Sequence, residues 1–431
     1  MSTPPPSGRT PVPVPAARTP TKRRRGPAWL HPGWSWTVGQ AWMITALSAS
    51  ATLILGAVLG ALPALLAGSW GDTQTRFQTW VLIGFTGASL AAAATAIALH
   101  RKRRWVLHQN GTAYVVQELA SDWARQDEKI FLESAGRYFA RVVKVPGPGQ
   151  LGHPWDWPLD SGAQYWDGKV DELARAFQTL RFADGQETPD GILMWASWAV
   201  AAAFGMRVTA ADRNLVLDVW HRPSNGRAGR AETVIGTQRP HRFGPAGPVP
   251  QGGLAPAPRV VRRPAELKST RLSPDAHRAA DGDVTVLLLR LGHQAWGPLP
   301  GVGEVTAHPV RLEIIDVAGV CPDWSPQAVV YEWRCLPPPG GLFPWDAIPS
   351  LVTASADWIE RKSAEFADHT VLLGTTMPPE AALGLGILAG QAQRTRWPEN
   401  IWPLIYWSDR NSLVVPHLNL GRAALRDRKD G

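Results

Sequence analysis

The strongest constraint in this chain is an absence of charge. After Arg25 no Asp, Glu, Lys or Arg occurs until Asp72. Inside that gap lies AWMITALSASATLILGAVLGALPALLAG, residues 41–68, and a second uncharged run, WVLIGFTGASLAAAATAIAL, spans Trp80–Leu99. About twenty apolar residues are enough to cross the hydrocarbon of a bilayer as a helix. Lipid offers the backbone no hydrogen-bond partner, so such runs cross only as helices. The sequence therefore predicts a two-helix membrane hairpin within residues 34–104, with spans at about 41–67 and 80–99. Tryptophans stand at the edges of both runs (Trp34, Trp36, Trp42, Trp70, Trp80 and Trp105), where amphipathic indoles settle at headgroup depth.

Charge orients the hairpin. Residues 1–33 hold six basic side chains and no acid, and Arg101-Lys102-Arg103-Arg104 follow the second run. The loop between the runs holds only Asp72 and Arg76. Basic flanks stay on the cytoplasmic side, which predicts a multi-pass membrane protein with both termini in the cytoplasm. Taking these ten basic charges from the formal net of +8 leaves the remainder slightly acidic, at −2. A protein that coats duplex nucleic acid would carry its positive charge on the folded part, so no duplex partner is expected. Gly56 and Gly60, and Gly84 with Ala88, place small residues on one face of each span, suited to close helix packing within the hairpin or between copies. No ionisable residue lies inside either span, which argues against an ion-coupled transporter.

The rest reads as α/β. Residues 1–33, rich in Pro and Arg, form a disordered cytoplasmic tail, and 421–431 a second tail. The spacing over 112–135 predicts a helix, giving a connecting segment at 105–136. A first α/β half follows at 137–222. It has a strand over 137–145, a helix over 169–181, a buried helix over 191–208 and a strand over 214–221. Residues 223–282, dense in Pro, Gly and Arg, read as a linker or insertion without apolar periodicity. The second half, 283–420, opens on DVTVLLLRL, a fully buried type of strand. It continues with strands at 311–316 and 328–333 and a helix at 354–367. TVLLG then reads as a strand, TTMPP as a turn and 380–394 as a helix, with closing strands at 401–407 and 412–420. Strands alternating with helices indicate parallel sheet. The helix-to-strand passage 191–221 repeats loosely at 381–407, which suggests two similar halves about a pseudo-twofold axis with a ligand cleft between them.

Catalytic signatures are absent: no GxSxG elbow, phosphate loop, HExxH or clustered Cys/His. No metal, no cofactor and no catalytic residue is expected, and the protein is read as a non-enzyme. A membrane-bound hydrolase would have to draw on Asp156, Asp160 and Asp167. Gly384, Gly386 and Gly390 sit in a helix body with the wrong spacing for a dinucleotide fingerprint, so close packing accounts for them. The better site candidate is the turn Thr375–Pro379, after a strand's carboxyl end and at a helix N-terminus, where exposed N–H groups favour anions. An N-cap with proline in the first turn is the plainer explanation of the same residues. Trp407 ends the adjoining strand, and Arg222 ends the matching strand of the first half.

The closing segment HTVLLGTTMPPEAALGLGILAGQAQRTRWPENIWPLIYW, with SLVVPHLNL after it, resembles the last βαβ portion of SAVED domains, double CARF-like modules that bind cyclic oligonucleotides in bacterial anti-phage signalling (CBASS). The resemblance covers 283–420, and 137–222 only through the repeat. It implies a fold of two Rossmann/CARF-like halves in the cytoplasm behind the membrane hairpin. It also implies a cyclic oligonucleotide as ligand, with Thr375, Thr376 and Met377 at phosphate or sugar, Trp407 stacked on a base and Arg222 supplying charge. Some members carry an N-terminal two-helix membrane effector, so the lipid bilayer is a further partner. The resemblance places the hairpin in the bacterial inner membrane, where ligand-driven homo-oligomerisation would gather the copies until that membrane leaks. The alternative is a non-catalytic membrane scaffold whose α/β part binds a protein.

Overall fold

The computed structural model describes scattered helical positions between 84 and 98, then residues 111–117, 139, 141–145, 165–184, 190–212, 215–219, 241–243, 258–271, 283–291, 296–297, 299, 309–336, 347–390, 397–407 and 412–421. The first expected span lies outside these residues. Of the second, Gly84, Thr86, Gly87, Ser89–Ala91, Ala93–Thr95, Ile97 and Ala98 are described, and they are helical. Among the described residues no helix is long and apolar enough to cross a membrane.

Two mainly parallel arrangements follow one another along the chain. In the first, β1 (Thr112–Gln117) and β2 (Arg141–Val145) precede α1 (Tyr165–Asp184), β3 (Asp190–Trp195), α2 (Trp198–Ala211), β4 (Leu217–Val219) and β5 (His241–Phe243). These strands lie in the order β2-β1-β3-β4-β5, the first four parallel and β5 antiparallel to β4. In the second, β6 (Arg259–Arg271), β7 (Val284–Leu291), β8 (Val310–Asp316) and β9 (Trp324–Cys335) precede α3 (Ile348–Glu365), β10 (Thr370–Thr375) and α4 (Pro379–Gly390). The chain closes with β11 (Ile401–Pro403), β12 (Ile405–Trp407) and β13 (Ser412–Val415). The eight strands of this sheet run β11-β10-β7-β9-β6-β8-β13-β12.

The expected repeat is present in the topology. The parallel block β2-β1-β3-β4 with α1 and α2 has the same connectivity as β9-β7-β10-β11 with α3 and α4. Three expectations need correction. Thr112–Gln117 is a central strand and not the start of a connecting helix, because Tyr114 and Val116 pack on one face of the sheet while Ala113 and Val115 are buried on the other. The apolar run 191–208 is a strand followed by a helix. Ser197 divides them, its hydroxyl accepting the N–H of Val200 as an N-cap. Finally, the Pro/Arg-rich stretch 223–282 contains β5 and the thirteen-residue β6. Pro264 sits in β6 beside a register shift at Ala265–Leu267, the kind of irregularity at which a strand tolerates proline.

The larger sheet also closes on itself. Its two edge strands, β11 and β12, are consecutive pieces of one extended run, separated by Leu404 alone, whose N–H bonds to Leu373 O at 2.7 Å. That run pairs with β10 on one side and with β13 on the other. The result is a rolled sheet with Leu288, Leu312, Ile314, Val330, Leu372, Leu404, Leu413 and Val415 in its interior. Period-two alternation sends the intervening residues outward. There Leu287, Leu289, Trp333, Val371 and Leu373 join one core with α2, α3 and α4.

The two halves meet through α2 and α4. Both helices are buried almost throughout, so neither shows the one-sided apolar stripe of a surface helix. Their backbones touch. A methyl added at Gly205 would lie 2.6 Å from Leu383 O, and one at Gly386 would strike Ala202, 2.9 Å from its Cα. One at Gly390 would lie 2.6 Å from Met206 O, while Gly384 leaves room for the ring of Phe243 in β5. The glycines thus serve close packing, helix on helix at Gly386 and Gly390 and helix on strand at Gly384. In the first half α1 is clamped to α2 by charge: Arg207 contacts Asp167 and Asp171, both at 2.7 Å. Arg181 contacts Asp190 at 2.6 Å and Asp212 at 2.5 Å.

Gly386→Ala should lower stability by roughly 1–3 kcal/mol or more, since the clash is with backbone. Gly168→Ala in α1, where an added methyl meets open space, should be neutral or stabilising by up to about 1 kcal/mol. Chemical denaturation of both variants against the parent checks the pair.

Candidate functional site

The order of contacts along α2 and α4 decides where a shared site can lie. Ala202 meets Gly386, and further along both helices Met206 and Thr209 meet Gly390, so the two helices run side by side in the same sense. Each helix returns antiparallel to the strands of its own sheet. Both sets of parallel strands therefore present their carboxyl ends on one side of the molecule, and there the N-termini of α2 and α4 stand together. Open parallel sheets take ligands at this edge.

In the second half this edge is built by β7, β10 and the turn into α4. Thr375 is buried, and its hydroxyl accepts the N–H of Met377 at 2.9 Å. Thr376 Oγ1 accepts the N–H of Leu291 at 2.7 Å and donates to Leu291 O at 3.2 Å, while its own N–H bonds Leu289 O. This one side chain fastens the turn to the end of β7. Met377 is buried in the shared core. Pro378 and Pro379 bring no N–H groups to the first turn of α4, and Glu380 places an acid there. Trp296 lies over Gly374, where an added methyl would come within 2.7 Å of the indole, and a two-way backbone bridge with Leu299 holds it.

The structure thus brings Thr375, Thr376 and Met377 together at the carboxyl edge, with the Thr375 hydroxyl bonded inside the turn and that of Thr376 bonded to the end of β7. Trp407 is the last residue of β12 and pairs in register with Ser412. Arg222 lies outside the described residues, as do Asp156 and Asp160, whereas Asp167 is bound to Arg207. Among the described residues no group of three His, Cys, Asp or Glu side chains could hold a metal ion. Cys321 and Cys335 are buried and not joined in a disulfide. Burial pushes Cys335 up to about 11 and, with Asp316 alongside, raises Cys321 well above its usual value. Neither is a poised thiolate nucleophile.

A group that the sequence reading did not single out stands on the inner face of the rolled sheet. Glu332 in β9 receives Arg290 from β7 at 2.9 Å, Arg334 at 2.7 Å and Arg263 from β6 at 3.5 Å. Arg290 and Glu332 are buried, with side chains only 1% exposed. The visible signal was alternation: Arg290 and Arg334 are the next-to-last residues of adjoining strands, and Arg259 and Arg263 lie one helical-looking step apart in a stretch read as linker.

No protein-family model matches the sequence, and no curated protein matches it significantly. Among solved structures, the chain is similar to the Acinetobacter baumannii Cap4 SAVED/CARF-domain containing receptor. With the cyclic trinucleotide 2'3'3'-cAAA the identity is 11% and the TM-score 0.37; with 3'3'3'-cAAA they are 10% and 0.38. Each match covers 80% of this chain and 62% of the receptor, so the chain spans under two thirds of that protein's length.

Thr376→Val should cost roughly 1–3 kcal/mol, because it leaves the Leu291 N–H without its acceptor, and Thr376→Ser should restore most of it. Denaturation midpoints of the two variants check this. Thiol-reactive dye should label neither cysteine in the folded chain and both after unfolding.

Proposed function

We propose that this chain is a membrane-anchored sensor and effector. Its α/β part binds a cyclic oligonucleotide in a SAVED-like manner, and its N-terminal hairpin, gathered by ligand-driven assembly, disrupts the inner membrane in anti-phage defence. The observation that carries the sensing part is the parallel contact of α2 and α4. It sets the strand carboxyl ends of two repeated halves on one face, so a ligand with repeated phosphates meets equivalent ground from each half. The residue pattern at 370–420 supports the same reading.

In this reading the β10–α4 turn meets phosphate or sugar, with Thr376 shaping it and Thr375 and Met377 holding it from beneath. Trp407 stacks a base and Arg222 supplies charge from the first half. The protein performs no turnover. The membrane part rests on the two uncharged runs, their tryptophan edges and their basic flanks.

Calorimetry of the full chain in mild detergent, against cyclic di-, tri- and tetranucleotides, should give heat with at least one ring, together with larger assemblies in sedimentation. Silence across the panel from folded protein overturns the sensor. Deleting residues 34–104 should preserve ligand binding and abolish leakage of dye from vesicles. Leakage retained by that deletion overturns the assigned effector.

A further inference from the structure

The inner face of the rolled sheet carries charge in an arrangement that sheets ordinarily avoid. In register across three neighbouring strands stand Arg259 of β6, Arg334 of β9 and Arg290 of β7. Like charges directly opposite one another on adjacent strands are destabilising. One step further into the roll the row reads Val261, Glu332, Leu288, and the next reads Arg263, Val330, Val286. Glu332 is the acid at the centre of this group, and three guanidinium groups converge on it. With Arg259 the set counts four cations and one anion, a net of +3.

Exposure falls along the set from outside to inside. Arg259 is exposed, the side chains of Arg334 and Arg263 are 12% and 14% exposed, and Arg290 with Glu332 is at 1%. Directly beneath them the interior is lined by the apolar side chains of Leu288, Val330, Leu312 and Leu404. Arg290 also donates to Leu299 O at 3.3 Å, which fixes its plane. The result is a cationic funnel at one mouth of a closed sheet, deep at Arg290 and open at Arg259. Burial lowers the Arg290 pKa from its usual value, and Arg334 and Arg263 add to that effect against the pull of Glu332. Among the described residues one carboxylate does not offset the positive charge of four guanidinium groups.

A small tetrahedral anion would. Guanidinium groups offer paired N–H donors matched to phosphate oxygens, and a partly dehydrated site strengthens each bond. Barrel mouths are also a common place for small-ligand sites. We propose that the mouth of the rolled sheet, formed by Arg259, Arg334, Arg290 and Arg263 around Glu332, is a binding site for a phosphate group. Glu332 orients the arginines without cancelling them. This site lies on the opposite face of the sheet from α4, so it does not depend on the cyclic-oligonucleotide reading.

The test uses the full chain in mild detergent, with inorganic pyrophosphate as probe and sodium chloride at matched ionic strength as control. Pyrophosphate should raise the thermal midpoint where chloride does not. Arg334→Met and Arg259→Met should each weaken pyrophosphate binding roughly tenfold or more, as expected for loss of a charge-assisted hydrogen bond. Arg259 is exposed at the strand's start, so its variant should fold normally even if Arg334→Met does not. Arg311→Met, an exposed arginine whose ion pair is with Glu266 on the outward face, should leave binding unchanged. Equal midpoints in pyrophosphate and chloride, or equal losses in Arg311→Met and Arg259→Met, overturn the site. A cyclic trinucleotide added to the same proteins separates the sources. Binding lost in Arg259→Met assigns the mouth to the phosphodiester of that ligand, and binding retained there assigns it to a separate, free phosphate.

Discussion

Everything in the described structure hangs on the backbone contact between α2 and α4. Two helices can approach this closely only where side chains are missing, and Gly205, Gly386 and Gly390 supply the gaps. Because the helices run in the same sense, their dipoles lie parallel and oppose the contact. Burial of nearly every residue of both helices has to outweigh that. The parallel sense is also what gathers the strand carboxyl ends of both halves onto one face. An antiparallel crossing would have put them on opposite sides and left no shared edge.

Duplication explains the frame but not the asymmetry. The parallel block β2-β1-β3-β4 ends at a short antiparallel β5, while its counterpart β9-β7-β10-β11 is extended by β6, β8, β13 and β12 until the sheet rolls up. β5 lends Phe243 to Gly384 of α4, so the first half's added strand helps lock the second half's helix. The added strands of the second half instead build a new interior. That interior is apolar at its centre and cationic at one mouth.

The second half was largely legible in the sequence because its strands are long apolar runs, DVTVLLLRL and TVLLG, that end at clear turn residues. The first half was less so. A fully buried parallel strand has no alternation, and Thr112–Gln117 ran without a break into residues with helical spacing. In 191–208, strand and helix are both apolar, and only Ser197 marks the boundary. β6 was hidden by its own charge: in RVVRRPAELKSTR the inward-facing row sets Arg259, Arg263 and Arg271 among Val261, Ala265 and Leu267, so no continuous apolar stripe was there to be counted. At the candidate site the strand-end position of Thr375–Met377 was readable. The bonding of Thr376 to Leu291 was not, because the partners are 85 residues apart.

Two neighbouring residues of β7 show how the two faces of the sheet are joined. Leu291 is held by Thr376 at the turn into α4, and Arg290 just before it is held by Glu332 in the mouth of the roll. Alternation points them to opposite faces, yet they share one peptide unit. The β10–α4 turn therefore sits on the same strand end that carries the deepest arginine. Its position is set by a hydroxyl bonded in both directions, and that of Arg290 by an ion pair and a carbonyl. Displacing the end of β7 would break both sets of bonds at once. Close packing on each side makes such a strand end move as a unit rather than bend gradually. The carboxyl end of β7 is thus a place where a change at the shared edge of the two halves must also be a change at the cationic mouth.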